Sequence, residues 1–205
     1  YTADQLLEKA CRYRTYWKQK GGITVSGGEP LLQIDFVTEL FRKAKERGIH
    51  TTLDTSGNPF TEKEPFYSKW KALMQYTDLI LLDIKHIESA AHKVLTGRGN
   101  ENILAFARFA AARGNKMWIR HVLVPGYTDS DETLKKIGDF AWNLGTVEKV
   151  QILPYHTLGK SKYEKMGLPY PLEGVEPPTE ERVRNARRIM REAKENAERN
   201  AADKR

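Results

Sequence analysis

Apolar positions along this chain switch repeatedly between a period of two and a period near 3.6. The run Ile23-Thr24-Val25 is short and β-branched, which predicts a buried strand, and it stops abruptly at Ser26-Gly27-Gly28-Glu29-Pro30. Beyond it Phe36, Val37, Leu40, Phe41 and Ala44 fall on one helical face, with Asp35 as the predicted cap and Gly48 as the stop. The same exchange recurs downstream. Strands are predicted at 50–57, 78–85, 117–124 and 147–153, and helices at 65–76, 86–95, 102–112 and 132–144. Phe66, Trp70 and Leu73 are the expected core residues of the helix at 65–76. The continuous run Leu79-Ile80-Leu81-Leu82 predicts a parallel strand buried on both faces.

The chain opens in a helix, signalled by a Thr2/Gln5 capping box and a stripe of Ala3, Leu6, Leu7, Ala10 and Trp17, with Cys11 beside it as a small half-buried residue. It closes in a helix from Thr179, with Val183, Ala186, Ile189, Met190, Ala193 and Ala197 on one face. Residues 157–178 read as a Gly- and Pro-rich loop, and 200–205 as a fraying end. Five strands each followed by helical sequence imply an α/β fold with a parallel sheet and right-handed crossovers. Two arrangements satisfy this pattern: an open doubly wound sheet, or part of a (β/α) barrel. No repeat or linker divides the chain, so a single domain over 1–205 is expected, with 179–205 as its C-terminal helix and tail.

Composition narrows the function classes. The 205 residues suffice for one sizeable core. No apolar run approaches a membrane span of roughly 18 to 20 residues. The net charge of +7 comes from 34 basic and 27 acidic residues that are interspersed, without a dense basic block, so nucleic acid is not the expected partner. The single cysteine suits a reducing cytoplasm and excludes a disulfide framework, a multi-cysteine zinc site or a multi-cysteine cluster built from this chain alone.

In either arrangement ligands bind at the carboxyl ends of the strands. Those ends carry Ser26-Gly27-Gly28-Glu29, Asp54-Thr55-Ser56-Gly57 and Asp83-Ile84-Lys85, then Arg120 and His121 before Pro125-Gly126, then Gln151 and His156. Paired glycines let a backbone approach a ligand closely. Asp83 and Lys85 end an apolar run, so both must be paired or used; strand alternation turns both inward and Ile84 outward. Arg120 and His121 face opposite sides, and Arg120 is the one assigned to the site. Glu29 as a helix starter and Asp54 as an Asx turn remain open alternatives, as does His156 as a plain loop residue. His50, His86 and His92 lack metal-ligand spacing and read as surface or packing residues.

Five motifs appear in order: Ile23-Thr24-Val25-Ser26-Gly27-Gly28-Glu29-Pro30, Leu53-Asp54-Thr55-Ser56-Gly57, Leu82-Asp83-Ile84-Lys85, Trp118-Ile119-Arg120-His121-Val122-Leu123-Val124-Pro125-Gly126 and Leu153-Pro154-Tyr155-His156-Thr157-Leu158-Gly159-Lys160. Together they resemble the radical S-adenosylmethionine activases of glycyl-radical enzymes, those of pyruvate formate-lyase type most closely. The resemblance implies a partial (β/α) barrel with S-adenosylmethionine across its open top. It implies cofactor contacts from Gly27, Gly28, Glu29, Asp83, Ile84, Lys85, Arg120 and His156, the backbone of Gly28 meeting the cofactor's amino group. It also implies a monovalent cation held by Asp54, Thr55 and Asp83 with the Leu81 carbonyl.

The same resemblance implies reductive cleavage of S-adenosylmethionine at a [4Fe–4S] cluster and transfer of a hydrogen from a glycine of the partner. The partners it implies are a glycyl-radical enzyme such as pyruvate formate-lyase and a flavodoxin- or ferredoxin-type electron donor, with the activase itself a cytoplasmic monomer. One departure stands out. The family's cluster sits in a Cys-x3-Cys-x2-Cys loop upstream of the helix with which this sequence opens, and Cys11 matches none of its cysteines. The expectation is therefore a chain lacking the first βα unit, inactive in radical chemistry by itself. A Schiff-base aldolase or lyase using Lys85, or a non-catalytic module that binds S-adenosylmethionine or the partner, are the alternatives.

Overall fold

The computed structural model describes residues 1–17 and 21–203. Its elements are α1 (Ala3–Cys11), β1 (Gly22–Val25), α2 (Ile34–Glu46), β2 (His50–Thr55), α3 (Phe66–Gln75), β3 (Leu79–Asp83), α4 (Ser89–Thr96), α5 (Glu101–Ala112), β4 (Lys116–Leu123), α6 (Asp131–Asn143), β5 (Val147–Pro154), α7 (Lys160–Lys165) and α8 (Glu180–Ala202). The five strands form one parallel sheet in the order β1-β2-β3-β4-β5. Gly22 to Val25 lie opposite His50 to Leu53, and Thr52 to Thr55 lie opposite Leu79 to Leu82. A doubly wound sheet reverses its strand order at a switch point. This order never reverses, so the fold is the partial (β/α) barrel.

The chain divides into two compact units. The first holds Tyr1–Asp83, Asn100–Ile119 and Leu144–Lys149; the second holds Ile84–Gly99, Arg120–Asn143 and the chain from Val150. In the first unit Leu7, Val37, Phe41, Leu53, Leu73, Ile80 and Leu82 are fully buried. An aromatic cluster joins α3 to α5: the ring of Phe60 lies 5.3 Å from that of Trp70 and 5.1 Å from that of Phe109, and Trp70 lies 5.3 Å from Phe106. Edge-on and tilted pairs of this kind add to the burial itself. Asp78 closes the bottom of this unit, accepting hydrogen bonds from the Lys45 ammonium at 2.7 Å and the Thr51 N–H at 2.9 Å.

The core of the second unit is Leu123, Leu134, Ile137, Ile152, Val183, Ala186, Ile189 and Met190. Its helices α6 and α8 meet closely at Gly138, where an added Cβ would stand 2.7 Å from the Cβ of Ala193. The Trp142 indole N–H donates to the Met190 carbonyl at 3.1 Å across the same seam. Arg182 in the first turn of α8 meets the Asp131 carboxylate at 2.7 Å. Between β5 and α8 the hydroxyls of Tyr155 and Tyr170 lie 2.7 Å apart.

Several sequence expectations change. The helix at 34–46 is not capped by Asp35, which sits in its first turn; a 3-10 turn at 30–33 precedes it, and Glu29 caps that turn. Pro30 sets this outcome, since it suits the first position of a helical turn. Trp17 lies beyond α1, after a second 3-10 turn, and is only half-buried. Phe66 is 51% exposed, and Phe60 from the preceding loop takes its place in the core. β3 is buried on one face only: Ile80 and Leu82 are fully enclosed, while Leu79 and Leu81 are half-buried. These two leucines face a cavity of about 500 Å3 shared with Thr24, Thr52 and Trp118, which is why that face stays partly open. The helix predicted from His86 begins at Ser89. The stretch 157–178 is not all loop, since α7 lies in it, and α8 persists to Ala202. The last two positions of the predicted fraying end lie outside the described residues.

Candidate functional site

In the first unit the exits of β1 and β2 are joined by one side chain. After Val25 the backbone turns through Gly27 and Gly28, whose φ angles of 87° and 51° lie in the left-handed region that glycine alone enters freely. Nothing stands within 4 Å of where a Cβ would sit on either residue, so both face open space. Glu29 follows in extended conformation with a heavily engaged carboxylate. Oε1 accepts from the Leu31 N–H at 3.2 Å and the Thr55 hydroxyl at 2.6 Å. Oε2 accepts from the Ser56 N–H at 2.9 Å and the Ser56 hydroxyl at 2.5 Å. The Thr55 hydroxyl oxygen in turn accepts from the Gly57 N–H at 2.9 Å.

The ladder register sorts the acidic residues. Asp54 lies opposite Leu81 and shares a strand face with Thr52, while Asp83 follows Leu81 on that same inner face. Thr55 is turned the other way, and its hydroxyl is spent on Glu29 and Gly57. Of the three side chains predicted around a cation, the fold therefore gathers Asp54 and Asp83 on one face and points Thr55 away. No group of three or more His, Cys, Asp or Glu side chains suited to a metal ion occurs among the described residues.

The second unit begins with Ile84, which is fully buried, and Lys85, which is half-buried. The Ile84 N–H donates to the Arg120 carbonyl at 3.0 Å. The Ile84 carbonyl lies 2.9 Å from Nδ1 of His121, whose Nε2 lies 3.1 Å from the Thr128 carbonyl. Burial pushes the His121 imidazole below its usual pKa, opposed by the two carbonyl contacts. Sequence reasoning set His121 aside; the fold uses it to tie the segment after β3 to the loop after β4. A polar residue at an inward-packing strand position was the available signal. Arg120 is half-buried on the opposite face of β4, and Gln151 is half-buried on β5. His156 is exposed at the start of a 3-10 turn. His50 is exposed, whereas His86 and His92 are buried packing residues. Burial and the Tyr170 hydroxyl together push the Tyr155 phenol up to about 12.

Residues 1–137 match the model of the radical SAM superfamily. The pyruvate formate-lyase-activating enzyme of Streptococcus mutans is 52% identical over 189 residues, which is 92% of this chain and 72% of that protein. That of Staphylococcus epidermidis is 47% identical over 190 residues, 92% of this chain and 76% of that protein. Among solved structures, a domain of pyruvate-formate lyase-activating enzyme from Bacteroides vulgatus superimposes with a TM-score of 0.67 at 25% identity, covering 84% of this chain and 94% of that one. A radical SAM methyltransferase from Sphaerobacter thermophilus, at 19% identity and a TM-score of 0.64, covers 94% of this chain and 55% of its own, and shares the fold. The chain belongs to the radical SAM superfamily and, within it, to the pyruvate formate-lyase-activating enzymes.

Proposed function

We propose that this chain holds S-adenosylmethionine at the exit of β1, as the match to the radical SAM superfamily suggests, and acts on pyruvate formate-lyase, as the names of its relatives indicate for them. The observation that carries the ligand assignment is the open Gly27-Gly28 turn, left-handed at both residues and unobstructed on the side where a ligand would approach. Backbone carbonyls there suit the ligand's ammonium group. Asp54 and Asp83, on one face of the sheet, suit a monovalent cation beside its carboxylate, with the Leu81 carbonyl. The motif match extends the assignment to Ile84, Lys85, Arg120 and His156: two cationic side chains for a carboxylate and an imidazole for the adenine ring. Glu29 and Thr55 belong to the same motifs, and their side chains act within the protein. When bound, S-adenosylmethionine supplies the sulfonium chemistry of the superfamily.

The superfamily also implies a [4Fe–4S] cluster, and the residues present do not fit it. Such a cluster needs several thiolates, and these 205 residues contain Cys11 alone, half-buried on α1. The role proposed for this chain is accordingly to hold the sulfonium ligand and to engage the partner protein. A flavodoxin- or ferredoxin-type electron donor, a cytoplasmic location and a monomeric state complete the proposal on the strength of the family. Among the described residues no helix is long and apolar enough to cross a membrane.

Calorimetric titration with S-adenosylmethionine tests the ligand assignment. Gly28→Val places a β-branched side chain at a left-handed position and should weaken binding at least tenfold while the circular dichroism spectrum is unchanged. Wild-type protein that binds no S-adenosylmethionine, or a variant that binds as well as wild type, would reject it.

A further inference from the structure

We infer that Glu29 is a positioning residue for the ligand loop and makes no contact with the ligand itself, an inference that rests on the S-adenosylmethionine reading above. A carboxylate offers about four acceptor positions, two on each oxygen. Glu29 spends all four inside the protein, on the Leu31 N–H, the Thr55 hydroxyl, the Ser56 N–H and the Ser56 hydroxyl. An ammonium group arriving at this loop finds no acceptor left on Glu29, and must be met by backbone oxygens or by other side chains.

The hydrogen bonds have a direction that explains the residue. Val25, the last residue of β1, is paired with Leu53 in the ladder. Glu29, four residues later, reaches Thr55 and Ser56, two and three residues further along the neighbouring chain. The intervening Ser26-Gly27-Gly28 loop is thus anchored to β2 at both ends. Gly27 and Gly28 have no side chains to hold their backbone, and their left-handed angles have no local support from packing, since open space lies beside them. Glu29 supplies that support from outside. It also fixes the loop relative to β2, the strand whose other face carries Asp54. Serine at position 56 and threonine at position 55 are therefore parts of the device, and Ser56 is a motif residue to which the resemblance assigns no role.

The experiment compares Glu29→Gln, Ser56→Ala and the double variant by S-adenosylmethionine calorimetry, amide hydrogen exchange and thermal melting. Glu29→Gln replaces one acceptor oxygen with a donor facing donors. It should speed exchange at the Leu31 and Ser56 amides at least tenfold, with distant amides unchanged. Each single variant should weaken S-adenosylmethionine binding at least fivefold with Tm within a few degrees of wild type. The double variant should lose no more than a further twofold, because both changes open one clamp. Binding lost in Glu29→Gln and intact in Ser56→Ala would overturn the inference, as it would mean that Glu29 touches the ligand. Faster exchange with unaltered affinity, or unaltered exchange, would also overturn it. If Glu29→Gln does not fold, Ser56→Ala decides the case through the same two readouts. If wild-type protein binds no S-adenosylmethionine, the ligand reading fails, and local exchange in the variants still decides whether the clamp exists.

Discussion

Asp78 shows how much a single partly buried carboxylate can contribute in this fold. Burial alone would raise its pKa; the Lys45 ammonium and the Thr51 N–H, with charge from Lys45 and His50, outweigh that and hold it below the ordinary aspartate value of 3.8. A folded-state pKa below the unfolded one means that the unfolded chain binds the proton more readily. The stabilisation is then complete above about pH 4 and is lost as pH falls through the folded value. Asp78→Asn should cost roughly 1–3 kcal/mol at pH 7, and urea denaturation at pH 7 and pH 3 checks this, the gap between variant and wild type narrowing in acid. At this scale a side chain's partners are harder to read from the sequence than the motif it stands in. Glu29 stands in a recognisable motif, yet its four hydrogen-bond donors come from positions 31, 55 and 56, and no local pattern announces three of them.

Elements were legible where one period dominated a segment. α2 and α8 bury most of the residues their spacing predicts, with Phe36 and Ala197 half-buried at the margins, because an apolar stripe has only one way to face a core. Element ends were harder to read. A cap depends on which way the preceding backbone turns, and Pro30 inserted a 3-10 turn that moved the start of α2 and displaced Asp35 from the cap. The apolar run of β3 misled in another way: hydrophobicity reports what a face can tolerate, and the cavity beside Leu79 and Leu81 leaves their face half open. Helix packing supplies the test at this scale. Gly138 sits where α6 and α8 meet closely, and a methyl group there would meet Ala193 at 2.7 Å. Alanine raises helix propensity by roughly 1 kcal/mol over glycine, yet Gly138→Ala should destabilise, by about 1–3 kcal/mol, because overpacking prevails. A rise in the urea midpoint would contradict this account of the seam.

At the scale of the whole molecule the alternation of strand and helix was enough to predict a parallel α/β sheet, and the ordered motifs were enough to choose the partial barrel. What the alternation alone could not supply was strand order, which is a long-range property; the sheet shows it as β1-β2-β3-β4-β5. Division into two compact units was likewise invisible, since β4 and β5 each contribute residues to both. The hydroxyl pair Tyr155–Tyr170 also belongs to this scale, because it closes a ring of chain around the segment that carries α7. A closed ring restrains the conformations open to the residues between its ends, here Lys160, Lys162 and Lys165 among them. Tryptic nicking requires a segment to unfold locally into an extended strand, so this buckle slows cutting within the segment it encloses. Tyr170→Phe should leave the melting temperature nearly unchanged and yet speed cleavage after those lysines severalfold, seen as two fragments on a gel; an unaltered cleavage rate would mean that the ring is held shut by something else.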